Sequence, residues 1–370
     1  MSEAMKNPLR YEPDYALAPG ETLAERLDEL DMDQRELAIR LRMSAKCVNQ
    51  MIRGKAPITH ETAIKLERVT GIPSHVWNNL EMNYRSALAR LEDHKRLGVD
   101  ADWEWLKTIP TKELIARHVF EEPSDRNGLL NAVLEFFGVA NRQAWEAVWN
   151  ENRAAAAWRK SVCFDSHPGP TATWLRLGEL QAQGIRCEPF DKVKFVDALA
   201  EIRKLTAAGP EVFGPKMIEL CAQAGVALVF VPEIKGCPAS GAARWLTPEK
   251  ALIQLSLRYK SDDHFWFSFF HEAGHILHDP KKSISIDEPN QDGGEREMKA
   301  NRFAADYLIP PAEVASLRQL RTVADITAFA RRIGVAPGIV VGRLQHDGRI
   351  RRFQFNNLKV KLVWKTLKAG

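Results

Sequence analysis

Residues 271 to 275 read His-Glu-Ala-Gly-His, and this spacing constrains the fold more than any other stretch of the 370-residue chain. In a helix with 3.6 residues per turn, His271 and His275 project from one face and can grip one metal ion, while Glu272 lies beside them near a metal-held water. Zinc lowers the pKa of such a water to about 7, which makes a nucleophile available at neutral pH. A helix is therefore expected here, together with a third protein ligand from elsewhere.

Three carboxylates compete for that place in the downstream segment EREMKANRFAADYLIP: Glu295, Glu297 and Asp306. The segment reads as one helix ending before Pro310. Glu297 shares a face with Ala300, Asn301, Ala304 and Leu308, small and apolar enough to pack on the first helix. Glu295 shares its face with Met298, Lys299, Arg302 and Asp306, a charged and solvated surface. The expected site is His271, His275 and Glu297 around zinc, with Glu272 as the catalytic base. His278 follows His275 by three residues without the Gly turn that precedes a third histidine ligand in metzincins, so it is assigned a supporting or helix-end position.

At 45% hydrophobic residues the chain can build two or three domains with real cores. Its formal net charge of +4 is too small to mark a nucleic-acid binder, so the distribution of charge carries the argument. The cysteines, Cys47, Cys163, Cys187, Cys221 and Cys237, form no CxxC pair and are odd in number, which fits a reduced, cytoplasmic setting. The N-terminal MSEAMKNPLR lacks the apolar core of a signal peptide, and the apolar run 226–231 is too short to span a bilayer. No membrane partner is expected.

Charge is focused near the N-terminus. Between residues 35 and 55, Arg35, Arg40, Arg42, Lys46, Arg53 and Lys55 face a single acid, Glu36, while the preceding stretch holds Glu21, Glu25, Asp28, Glu29, Asp31 and Asp33. Asp33 can cap a helix carrying Leu37, Ala38 and Leu41; Ser44 can cap a second carrying Val48, Met51 and Ile52 before Gly54 stops it. This is helix-turn-helix spacing. The second helix turns Ser44, Ala45, Lys46, Asn49, Gln50 and Arg53 outward, and such side chains bond adenine or guanine edges and phosphates. Arg35, Ser44, Lys46, Asn49, Gln50 and Arg53 are the expected contacts to double-stranded DNA.

The middle of the chain reads as helical, with Trp103, Trp105, Trp145, Trp149, Trp158 and Trp174 as packing aromatics and an Ala-rich stretch around Ala154. Segments 226–231, 242–247 and 251–256 read as strands, the last as an exposed edge able to hold an extended peptide across the metal. Residues 279–294 read as a loop. Residues 326–343 repeat the helix-turn-helix pattern faintly, but Pro337 and Gly338 early in the second helix favour a packing module. The tail is basic, with Arg349, Arg351, Arg352, Lys359, Lys361, Lys365 and Lys368. The expected fold class is α+β: an all-α helix-turn-helix DNA-binding head over 1–97, a helical connector over 98–205, a zincin-like peptidase core with a small antiparallel or mixed sheet over 206–311, and a C-terminal helical module with the basic tail over 312–370.

Residues 17 to 85, including PGETLAERLDELDMDQRELAIRL and SAKCVNQMIRGKAPIT, resemble the XRE-type DNA-binding domain of HigA-like antitoxins. From about residue 185 onward, FWFSFFHEAGHILH, ANRFAADYLIP and GRLQHDG resemble the ImmA/IrrE family of zinc metallopeptidases. The resemblance implies a bacterial transcriptional regulator whose dimeric head binds operator or promoter DNA and whose peptidase domain cleaves a regulatory protein. It puts the metal ligands on His271, His275 and Glu297 and the general base on Glu272. Ala45 departs from it, since many such recognition helices carry a polar residue there. The second reading is a non-enzymatic antitoxin whose metallopeptidase-like domain senses a metal or ligand or binds a toxin.

Overall fold

A computed structural model of the chain describes residues 15–151, 168–281, 284–287 and 294–364, so Trp158, the Ala-rich stretch around Ala154, Lys365 and Lys368 lie outside the described residues. Its contacts divide the chain into two units, Met1–Asp100 and Ala101–Gly370.

The first unit is helical: α1 (Pro19–Glu29), α2 (Gln34–Leu41), α3 (Ala45–Ile52), α4 (His60–Thr70) and α5 (Ser74–Arg96). Asp33 accepts the N–H groups of Arg35 and Glu36 at the start of α2, and Ser44 Oγ accepts that of Cys47 at the start of α3. Each cap satisfies N–H groups that a first turn leaves without a helical partner. Between the two helices Arg42 takes a left-handed φ of 52°, which makes the tight turn. Leu23, Leu37, Val48, Leu66 and Trp77 are fully buried in the core of this unit. Gly20 lets α1 approach α3 closely, since a Cβ there would meet the backbone oxygen of Ile52 at 2.0 Å.

The second unit opens with α6 (Asp100–Thr108), α7 (Thr111–Ala116), α8 (Arg126–Phe137) and α9 (Arg142–Glu146). Here Phe137 packs among Trp105, Trp145 and Trp149, with ring centroids 5.7 to 6.5 Å away. Then come α10 (Pro168–Gln183), α11 (Lys192–Lys204) and α12 (Pro210–Gln223), followed by β1 (Val226–Phe230), β2 (Gly241–Thr247) and β3 (Lys250–Leu255). The helix α13 (Asp262–His278) precedes β4 (Ile284–Asp287), and α14 (Glu295–Leu308), α15 (Val323–Ile333) and α16 (Pro337–His346) close the order.

The sheet runs β1-β3-β2-β4, with β1 parallel to β3 and β2 antiparallel to both β3 and β4. Two sequence expectations are corrected here. Residues 251–256 are not an edge: β3 is central, and β1 and β4 lie at the rims. The reason is cover on both faces. Gln254 is fully buried and donates to the Trp174 carbonyl of α10 at 2.7 Å, and a strand buried on both faces reads as a plain apolar run with nothing to mark its neighbours. The segment 279–294 also holds a strand, β4, whose pairing with β2 supplies what its short sequence does not.

Two contacts set the position of α14. Gly274 lets it cross α13 closely, since a Cβ at 274 would lie 3.3 Å from Ala300 Cα. At its far end the Arg203 guanidinium donates to the carbonyls of Tyr307 (2.7 Å) and Leu308 (3.1 Å), and to that of Ile333 at the end of α15 (3.0 Å), a favourable place for a cation at helix C-termini. Residues Ile339, Val340, Val341 and Leu344 of α16 are buried in the same core as α13. Gly338 and Gly342 face Asp262 and Asp263, where a Cβ would come within 2.4 and 2.6 Å of a carboxylate oxygen. These glycines serve packing.

Candidate metal centre

The i,i+4 spacing on α13 places His271 and His275 side by side and buried, and α14 brings Glu297 over them. Glu297 Oε2 lies 3.2 Å from His271 Nε2, Glu297 Oε1 lies 3.4 Å from His275 Nε2, and the two Nε2 atoms are 3.0 Å apart. One donor atom from each residue falls within 4.8 Å of the others. Their outer nitrogens are held: His271 Nδ1 by Asn301 Oδ1 at 3.0 Å and His275 Nδ1 by Asp279 Oδ2 at 2.9 Å. Such partners fix ring orientation and tautomer, and leave Nε2 aimed inward.

The electrostatics describe a place built for a cation. Burial pulls the His275 imidazole down, but hydrogen bonds to Asp279 and Glu297 outweigh it and raise its pKa to about 9. Burial pushes Glu297 up, while hydrogen bonds from His271 and His275 hold it down at about 2. With both Nδ1–H groups donating outward to Asn301 and Asp279, the two facing Nε2 lone pairs 3.0 Å apart need positive charge between or upon them. Two neutral imidazoles and a carboxylate are also a donor set that suits zinc, so the residues present fit the metal.

Glu272 is fully buried and points toward the start of β2. Other acids and the extra histidine stay outside the cluster. Glu295 pairs with Lys299 at 2.6 Å, Asp306 with Arg302 at 3.5 Å, and the exposed His278 meets the Phe303 ring edge-on at 5.4 Å. Reading from sequence missed three contributors: Asn301, Asp279 and Gly241. Asn301 is one turn after Glu297, and Asp279 one turn after His275, so the helical spacing that found the ligands held the signal for both.

In the first unit, Arg35, Lys46 and Arg53 are exposed, as is Ser44, whose Oγ is used as a cap. Asn49 and Gln50 are half-buried, and Asn49 Nδ2 donates to Gln34 Oε1 at 3.2 Å. The outward placement expected for these two side chains is thus only partial, and for Asn49 the bond to Gln34 of α2 is the cause.

Residues 236–345 match the Peptidase_M78 family, the IrrE N-terminal-like domain. Over 63 residues the chain is 38% identical to YddM of Escherichia coli (strain K12), an uncharacterized HTH-type transcriptional regulator, covering 17% of this chain and 67% of that protein. Among solved structures it is similar to the Pseudomonas aeruginosa antitoxin HigA with the higBA promoter, at 33% identity, TM-score 0.22 and coverage of 22% of this chain and 91% of that one. It is also similar to an addiction module antidote protein of the HigA family from Coxiella burnetii, at 32% identity, TM-score 0.21 and coverage of 22% and 90%.

Proposed function

The chain belongs to the HTH-type transcriptional regulators through its N-terminal head and carries an IrrE N-terminal-like domain behind it; from that premise we propose that it binds operator DNA and, through a zinc-dependent centre, hydrolyses a peptide bond in a regulatory protein. The observation that carries the proposal is the convergence of His271, His275 and Glu297 beside a buried Glu272.

His271, His275 and Glu297 would hold zinc, with Asn301 and Asp279 keeping the imidazoles aimed. A bound zinc supplies Lewis acidity at that point. Glu272 takes a proton from the attacking water and gives it to the leaving nitrogen. Its burial against β2 keeps competing water away and fixes the carboxylate, and a base in fixed position is what proton transfer requires.

For the head, exposed Arg35, Lys46 and Arg53 supply phosphate and guanine contacts at the helix-turn-helix, while Gln50, and Asn49 once its bond to Gln34 opens, read base edges. A two-fold operator would be met by a homodimer. Operator DNA places the protein in the bacterial cytoplasm. Among the described residues no helix is long and apolar enough to cross a membrane, and Cys47, Cys187 and Cys221 are free thiols.

The test is mass spectrometry of cellular proteins in the presence of wild type or Glu272→Ala. Hydrolysis predicts one or a few proteins depleted by wild type and retained with the variant. Identical profiles would leave a regulator that senses or binds without cutting.

A further inference from the structure

A cleft of about 1340 Å³ opens beside the metal cluster, between α13, α14, α16 and the segment 352–361. Sites for small molecules occupy roughly 300–1,000 Å³, so this volume suits a longer ligand. Asn301, the residue that holds His271, is part of its lining, so a ligand lying in the cleft comes next to the candidate centre.

The walls are cationic. Both acids that line the cleft are already matched: Asp263 by Lys359 at 2.6 Å and Asp306 by Arg302 at 3.5 Å. Arg343, a further lining cation, is paired with Asp347 at 2.9 Å. That leaves Lys260, Arg352 and Lys361, all exposed, lining the cleft and with no ion pair among the described residues. Three unmatched cations lining one concave cleft focus a positive field on whatever enters.

We propose that this cleft selects acidic peptide segments as substrates of the adjacent centre, an inference that rests on the peptidase reading above. Successive side chains of an extended peptide rise about 3.3 Å per residue on alternate faces, so carboxylates at every second residue present a row of charge to Lys260, Arg352 and Lys361. A nucleic-acid strand fits less well. Tyr259 in the cleft stacks on His264 at 4.2 Å, which occupies one face of that ring and leaves less of it for a base.

The test uses the full-length Glu272→Ala chain and fluorescence anisotropy with three labelled probes: a degenerate peptide flanked by alternating glutamates, the same peptide flanked by lysines, and an oligothymidine. Acidic flanks should bind about tenfold tighter than basic ones, with affinity falling as salt rises. Reversal of the cleft cations (Lys260→Glu, Arg352→Glu, Lys361→Glu) should abolish that preference, and reversal of Arg318 and Arg331, exposed and outside the cleft, should leave it unchanged. If the triple reversal fails to fold, the glutamine triple takes its place, with the preference reduced. Equal binding of the two peptides, loss of preference in the outside control, or cleft-dependent binding of oligothymidine alone overturns the proposal. Cleavage of the same peptides by zinc-loaded wild type is scored separately. Acidic preference in binding with no cleavage counts against the peptidase reading alone, and cleavage indifferent to the flanks counts against the cleft alone.

Discussion

Gly241, the first residue of β2, lies so close to Glu272 that a Cβ at position 241 would fall 2.7 Å from Glu272 Oε1 and 2.9 Å from its Cγ. Only a residue without a side chain allows the strand and the carboxylate this approach.

Gly241→Ala should therefore move the Glu272 carboxylate and leave the metal ligands in place. A displacement near 1 Å at a reacting group costs about 10²-fold in rate. The measurement is turnover of a cleaved peptide alongside zinc content: rate falls and stoichiometry holds. Normal turnover in this variant would separate Gly241 from the positioning of Glu272.

Zinc uptake should release protons. With its pKa raised to about 9, His275 is protonated in metal-free protein at pH 7.5 and must give that proton up to ligate. Calorimetry in buffers of different ionisation enthalpy should count about one proton released. The metal-free protein should also lose stability at both extremes. The raised His275 contributes fully below its ordinary value of 6.5 and is lost as pH rises through about 9; the lowered Glu297 contributes above 4.5 and is lost as pH falls toward about 2.

Asp262 gives a separate pH signature at the start of α13. Burial, reinforced by the neighbouring Asp263 charge, raises its pKa from 3.8 to about 6. A raised carboxyl stabilises the fold below its unfolded value, and that contribution disappears as pH climbs to about 6. Asp262→Asn can keep the Oδ1 bonds from the Val360 and Asp263 N–H groups, and should remove a stability loss on the order of 3 kcal/mol between pH 4 and 6. Denaturant midpoints across that range check it; parallel curves for the two proteins would contradict it.

On the head, Lys46→Ala and Arg53→Ala should weaken binding to the chain's own upstream DNA evenly across sequences, each lowering the salt slope by about 1. Asn49→Ala should instead reduce discrimination between sites. Anisotropy across a salt series separates the two effects, and affinity unchanged in all three variants would point the head toward a protein partner.

Much of this was legible because helical periodicity is local. The spacing of His271 and His275 and the small, apolar face around Glu297 fix which side chains can meet. The caps at Asp33 and Ser44 mark the ends of α2 and α3. Strand order is not local. Nothing in Leu252-Ile253-Gln254-Leu255 says that α10 covers one side, so β3 reads as easily as an edge, and Ile284–Asp287 becomes a strand only through its pairing with β2. Gly241 was silent for the same reason: its role depends on a residue thirty-one positions away in the chain.

The most direct measurement is native mass spectrometry of the purified full-length chain. One zinc per chain is predicted, retained in Glu272→Ala, lost in Glu297→Ala, and bound about 10–100-fold more weakly in Asn301→Ala. No stoichiometric metal in wild type, or full occupancy in Glu297→Ala, would contradict the metal centre on which the account depends.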